Sequence, residues 1–282
     1  MNFIIFCKVM ELFKELKSYS QYLESNPFHQ DLGVNLEKYG ELDKKVIRKT
    51  YETASPYSHN SANNIPHSVE MDDLIRLHYL VTSRKVTTIL ELGIGKSTIV
   101  FDHALEKNKL KYGDYVNKNL RRSNPFECHS IDNNDEWIKV AKLSSPGIKN
   151  VTYHHCPCHV STFNDRISTL YDNLPNICPD LIYLDGPDQF TPTGNIRGIS
   201  TNHPDRLPMS ADILTFEHFL LPGTLIVIDG RTANARFLKT NFQRNWSYYY
   251  SVEYDQHFFE LSEPPLGIYN QRQIEFCLGS LY

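Results

Sequence analysis

At 282 residues, with a formal net charge of −4 and a pI near 6.3, the chain can hold one large α/β domain plus an extension, and hardly two full domains. The mildly acidic balance argues against a broad nucleic-acid-binding face. No apolar run reaches the roughly 18 to 20 residues of a membrane span, so no membrane insertion is expected. Met1 to Cys7 is apolar, but it is short, lacks a basic start and is interrupted by Lys8 and Glu11, unlike a signal segment.

In chain order, residues 8–52 carry helical spacing in Val9, Leu12, Phe13 and Leu16, punctuated by Gly33 and Gly40. Residues 1–64 therefore read as a helical N-terminal extension, closing in a polar loop over 54–67 that contains Pro56, His59, Pro66 and His67. Ser68 is a suitable N-cap, with Glu70, Asp72 and Asp73 in the first turn and an apolar stripe at Leu74, Ile75, Leu77 and Leu80.

From about residue 65 to 282 the pattern alternates between strand and helix or loop. Strands are expected at 88–91, 128–131, 151–155, 181–184 and 224–228, joined by right-handed crossovers into a parallel sheet. Residues 108–126 are too polar for core and read as an exposed insertion. Trp246–Val252, Phe258–Leu261 and Ile274–Leu278 read as further strands, one of them antiparallel. The expected fold is thus α/β, doubly wound, with a mainly parallel seven-stranded sheet and an antiparallel C-terminal strand.

Three strand ends carry chemistry. The first is Glu91-Leu92-Gly93-Ile94-Gly95-Lys96-Ser97, a strand, glycine turn and helix start. Glycine takes positive φ at low cost and lets a ligand approach the main chain closely. A dinucleotide site would want a third glycine where Thr98 stands, and an acid roughly 20 residues further on. The next strand-ending acid is the more distant Asp132. The other two strand ends are Leu184-Asp185-Gly186-Pro187 and Ile228-Asp229-Gly230-Arg231. A strand-end aspartate can simply cap the next helix, but two Asp-Gly ends flanking a glycine turn favour a functional reading.

Taken together, Glu91-x-Gly93-x-Gly95, Asp132, Asp185 and Asp229 resemble the class I, Rossmann-like S-adenosylmethionine-dependent methyltransferases over residues 65–282. The resemblance implies that Glu91, Gly93, Gly95, Ser97, Asp132, Asn133 and Asp185 bind S-adenosylmethionine. It implies catalytic roles for Asp185, Asp229 and His67, since the loop before the first strand covers the cofactor in that family. Catechol-type members hold Mg²⁺ on the equivalents of Asp185 and Asp229 and a following Asn. Gly230 stands in place of that Asn, so Mg²⁺ would rest on the two carboxylates and water. Residues 227–238 also resemble methyltransferase-like proteins of bacterial surface-glycan gene clusters, which implies a role in capsule or surface polysaccharide biosynthesis.

Gln189–Leu207 is long for a crossover and reads either as a substrate loop or lid or as a plain solvated loop. Its Arg197, with Arg231 and His59, would bind a small polar or anionic acceptor such as a sugar, a nucleotide-linked compound or a phosphorylated intermediate. Asp212 reads as a third oxygen ligand or a solvated charge. The run His154-His155-Cys156-Pro157-Cys158-His159 lacks the second ligand pair usual for zinc. The six cysteines form no disulfide framework, which points to a reduced, cytoplasmic protein. A homodimer is compatible with this reading. Its rivals are a nicotinamide-dependent oxidoreductase and a non-catalytic binding protein that keeps the fold.

Overall fold

A computed structural model describes residues 71–279. The expected extension, its loop with His59 and His67, and the Ser68 cap lie outside the described residues. The first element is α1 (Met71–Ser83), whose Leu74, Ile75, Leu77 and Leu80 are all buried, as the stripe predicts. It packs on α2 (Ser97–Asn119), which follows strand β1 (Thr88–Leu92).

Strands β2 (Glu127–Asp132), β3 (Val151–His155), β6 (Leu181–Leu184) and β7 (Leu225–Asp229) join β1 in one sheet, completed by β8 (Trp246–Ser251) and β9 (Gln256–Leu261). Its order is β3-β2-β1-β6-β7-β9-β8, parallel except that β9 runs antiparallel to both neighbours. The central strands are continuous apolar runs because both faces are covered. On one face Ile89, Leu181 and Leu225 meet Leu77, Val81, Phe101 and Leu105 of α1 and α2. On the other, Leu90, Ile182 and Ile226 meet Tyr171, Ile213 and Leu238. The chain passes from β1 to β2 on one side and places β6 on the other. The strand order therefore reverses at β1, the position where open α/β sheets bind ligands at their carboxyl ends.

Three features depart from the sequence expectation. The polar stretch 108–126 is no insertion: α2 continues to Asn119, burying Asn108 and Val116 while its charged side chains face water. Asn108 escaped notice because it is buried with partners, donating to the Val81 and Val86 carbonyls at 3.0 and 2.9 Å. Ile274–Leu278 is not a strand but the end of helix α6 (Ile268–Leu278), bounded by Gly267 and Gly279. Its inward stripe includes Asn270 and Gln273, whose polarity breaks the apolar period.

The third departure is the crossover from β3 to β6, which is an antiparallel hairpin rather than a helix or simple loop: β4 (Cys158–Phe163) and β5 (Arg166–Tyr171). Its turn residues Asn164 and Asp165 both take positive φ, +47° and +61°, the two-residue geometry that suits hairpin twist. Among the described residues the remaining helices are α3 (Asp135–Ser144), the short α4 (Asp212–Phe216) with a 3₁₀ turn at Glu217–Phe219 after it, and α5 (Thr232–Asn241).

The opposite, amino-terminal edge of the sheet is fastened by buried Asp180. Its carboxylate accepts from Thr87 N and Oγ1 at 2.8 and 2.5 Å, and from Gln273 of α6. It also pairs with Arg122 at 3.1 Å. Asp180→Ala would leave the buried Arg122 without its carboxylate, and unpairing a buried charge costs about 3 kcal/mol or more. Urea unfolding of the variant, with an unchanged m-value, checks this expectation.

Candidate active site at the carboxyl edge of the sheet

Each acidic strand end reaches the same edge, but in a different environment. Glu91 is fully buried, and its two oxygens accept from three hydroxyls: Ser97 at 2.5 Å, Thr98 at 2.7 Å and Ser130 at 2.5 Å. Burial pushes its carboxyl up to about 7, against the lowering effect of those hydrogen bonds. Glu91 thus ties β2 and the first turn of α2 to the end of β1, and the Ser97 hydroxyl is turned inward onto it.

A pH dependence follows. A carboxyl raised from 4.5 when unfolded to about 7 when folded contributes stability below 4.5 that is lost as pH rises through 7. Melting temperature should therefore fall from pH 5 to 8, and fall less in Glu91→Gln, which cannot ionise. Equal slopes in the two proteins would refute the assignment.

The two turn glycines are not equivalent. Gly93 has φ +100°, and a Cβ there would lie 2.5 Å from the Gly186 amide nitrogen and 2.6 Å from the Asp185 carbonyl carbon. Gly186 is equally confined: its own Cβ would lie 2.4 Å from the Gly93 Cα. The backbones of the β1 and β6 turns therefore touch, and the protein's own packing already requires glycine at position 93. A Cβ on Gly95 would meet only Ser97 Oγ at 3.7 Å, an ordinary contact.

Asp132 ends β2, buried, accepting from Ile94 N at 3.0 Å and Asn134 N at 2.7 Å. It thereby fixes the glycine turn to the start of α3. Burial raises its carboxyl to about 6 despite those two bonds. Asn133 is half-buried and accepts from the Thr191 hydroxyl at 3.2 Å. That bond carries the loop after β6 across to the end of β2. Further along, Thr193 lies 2.6 Å from His159 Nδ1, whose Nε2 lies 3.1 Å from Asp172. The segment from 188 to 193 is thus fastened to the rim at two points.

At the end of β6, Asp185 is about half exposed and sits beside Arg231 Nε at 3.2 Å. The guanidinium also donates to the carbonyls of Asp185 and of Pro187, the latter at 2.8 Å. At the end of β7, Asp229 accepts from Tyr183 OH and Gln256 Nε2, both at 3.1 Å. Burial, then the neighbouring Asp185, raises its carboxyl to about 6. Behind it, Gln256 reaches Asp73 at 3.5 Å and Arg76 at 3.4 Å, linking the first turns of α1 to this strand end.

The remaining expected residues are placed elsewhere. Arg197 is exposed at the tip of a tight turn, φ +56°, followed by Gly198 at +81°, with Ile196 and Ile199 bridged. Asp212 is neither a solvated charge nor a free ligand. It is buried at the start of α4, accepting from Tyr171 N at 2.9 Å and Ser210 Oγ at 2.8 Å. The side chains of the His154–His159 run diverge: His154 pairs with His129 at 3.0 Å, while Cys156 and Cys158 are buried.

The donor set at Asp185 and Asp229 does not fit a divalent cation. Hard cations take several oxygen ligands from carboxylates, carbonyls and water. Here a guanidinium stands on one carboxylate and its neighbouring carbonyls, and two donors already point at the other.

Tyr183 and Gln256 carry no local signal that would place them in the site, and Thr191 enters only as part of the long loop after β6. Asn164-Asp165, two residue types that tolerate positive φ, form the turn that brings His159 and Asp172 to the rim.

No protein-family model matches the chain, and no curated protein does. Among solved structures it is similar to an O-methyltransferase from Streptomyces achromogenes involved in tomaymycin synthesis, in complex with S-adenosylmethionine. The identity is 15%, covering 77% of this chain and 90% of that one, with a TM-score of 0.39. It is similar to a Bacillus cereus O-methyltransferase in complex with S-adenosylhomocysteine at 14% identity, 78% and 91% coverage and TM-score 0.38. It is likewise similar to an S-adenosylhomocysteine-bound methyltransferase from Podospora anserina at 11% identity, 77% and 88% coverage and TM-score 0.42. At such values the function is left to the geometry of the site itself.

Proposed function

We propose that the chain is an S-adenosylmethionine-dependent methyltransferase that methylates a hydroxyl oxygen of a small polar acceptor. The observation that carries this reading is the arrangement at the topological switch. Asp132 binds the turn amide at Ile94, Gly95 is a glycine that no protein packing requires, and Asp185 and Asp229 follow on the next two strand ends.

Neighbouring strands lie about 4.8 Å apart, so Asp185 stands one strand from the glycine turn and Asp229 two. The cofactor's ribose would bond to Asp132 and Asn133, its methionine part would lie along Gly95, and the acceptor would lie between Asp185 and Asp229. When bound, S-adenosylmethionine supplies a methyl on a positively charged sulfur, which leaves as a neutral thioether as the acceptor oxygen takes the methyl. The chain's own work is alignment and removal of the hydroxyl proton. Asp229 is the better base: its carboxyl lies near 6 and its hydrogen bonds come from the neutral Tyr183 and Gln256, whereas Asp185 is held by the Arg231 guanidinium. With Arg231 so engaged, Arg197 on the exposed loop is the candidate among the described residues to meet an anionic acceptor. A sugar or nucleotide-linked acceptor of surface-polysaccharide synthesis remains part of this proposal.

Calorimetry tests the reading. S-adenosylhomocysteine should bind and NADH should not; the reverse would sink it in favour of an oxidoreductase. Asp132→Ala should weaken S-adenosylhomocysteine binding about tenfold or more, the worth of one or two hydrogen bonds to a charged group.

A further inference from the structure

Building on the methyltransferase reading, we infer that Arg231 is the site's built-in cation. Its guanidinium takes the place beside Asp185 that a divalent metal would need, and holds that carboxylate and the β6 turn in position for the acceptor.

Three observations carry this. The first is that the contact is multiple: Nε to the Asp185 carboxylate at 3.2 Å, Nη1 to the Pro187 carbonyl at 2.8 Å, and Nη2 to the Asp185 carbonyl. A planar fork spread over a carboxylate and two carbonyls fixes a backbone turn as well as a charge, which a lysine ammonium would not do. The second is burial: the Arg231 side chain is only 15% exposed, against 48% for Asp185, so the guanidinium closes the inner side of the carboxylate and leaves its outer side open. The third is that the hydrogen bonds on Asp229 are of another kind, with Arg76 acting on it through its charge. Its two oxygens are met by the neutral donors Tyr183 and Gln256.

The two carboxylates are thus held in different ways, one by a cation and one by neutral hydrogen bonds. Arg231 directly precedes α5 (Thr232–Asn241), and Ala235 N bonds back to its carbonyl at 2.9 Å, so its backbone is anchored independently of Asp185. The same β6 turn packs through Gly186 on Gly93, and the position Arg231 imposes is passed directly to the glycine turn. Arg231 is accordingly a positioning residue for Asp185.

The experiment is Mn²⁺ binding to the full chain, followed by electron paramagnetic resonance at neutral pH with and without S-adenosylhomocysteine. S-adenosylhomocysteine affinity, measured alongside, reports separately on the methyltransferase reading. Wild type should show no Asp185-dependent Mn²⁺ site. Arg231→Ala should gain one, tightening Mn²⁺ binding about tenfold or more, because it exposes Asp185 and the two carbonyls as oxygen ligands. Adding Asp185→Asn should abolish the gain. Arg231→Lys, which keeps a charge and is the safer variant for folding, should bind no Mn²⁺, and an Asp185-dependent Mn²⁺ site in it would overturn the inference. A wild-type Mn²⁺ site lost in Asp185→Asn would overturn the inference, as would a folded Arg231→Ala that gains no site. Absence of S-adenosylhomocysteine binding with the Mn²⁺ pattern intact would instead refute the cofactor assignment alone.

Discussion

Gly93→Ala should unfold about 10 °C below the wild type, whereas Gly95→Ala should melt within about 2 °C of it and yet bind S-adenosylhomocysteine much more weakly. For Gly93 two costs combine. A non-glycine residue at φ +100° is strained by about 1–3 kcal/mol. The added Cβ would also press on backbone atoms of Asp185 and Gly186 at 2.6 and 2.5 Å, and backbone cannot swing aside as a side chain can. Overpacking of this kind adds about 1–3 kcal/mol, for a total near 4 kcal/mol. At Gly95 neither cost applies, since the new methyl meets one hydroxyl at 3.7 Å. Its effect should fall on the ligand that approaches the turn. Differential scanning calorimetry and ligand titration on the two variants separate the roles. Equal melting temperatures, or a Gly95→Ala protein with wild-type affinity, would show that the turn is misassigned.

The central parallel strands β1, β6 and β7 were legible because each is a short, mostly apolar run buried on both faces and bounded by polar or turn residues, whereas β2 and β3 carry more polar residues. The acid at each strand end was legible for the same reason: a buried run that stops at Asp or Glu must stop at an edge of the sheet. The failures have a common physical origin. Asn108, Asn270 and Gln273 are polar residues that are buried with partners supplied by distant parts of the chain. Polarity read locally therefore turned one helix into an insertion and another into a strand.

The site's acidic positions could be read from their strands, but their differences could not. Glu91 looked like a ligand group, yet three hydroxyls from two other elements enclose it. Gly93 reads as a turn glycine, but that it also packs against Gly186, far along the chain, is visible only in the fold. Asp185 and Asp229 looked alike, both followed by glycine. Only the fold shows that Arg231 turns back onto Asp185 while Tyr183 and Gln256 attend Asp229. Such distinctions depend on tertiary partners, which a strand pattern does not encode.

That asymmetry sets the largest expected effect on turnover. Asp229→Asn should lower kcat by about 10² to 10⁴-fold, the usual contribution of a positioned general base, while S-adenosylhomocysteine affinity stays within about twofold. Asparagine preserves the size of the side chain and can still accept from Tyr183 or Gln256, but it cannot take a proton. Asp185→Asn should act differently: it removes the partner of a largely buried guanidinium, so acceptor KM and stability should suffer along with kcat. The pH profile distinguishes a base from a mere hydrogen-bond acceptor. Because the Asp229 carboxyl lies near 6, kcat/KM should rise with pH through about 6 and then level, as the ionised form becomes complete. The residual activity of Asp229→Asn should lack that inflection. If instead the variant keeps the inflection while losing rate, the proton is taken elsewhere, and Asp229 serves only to hold the acceptor.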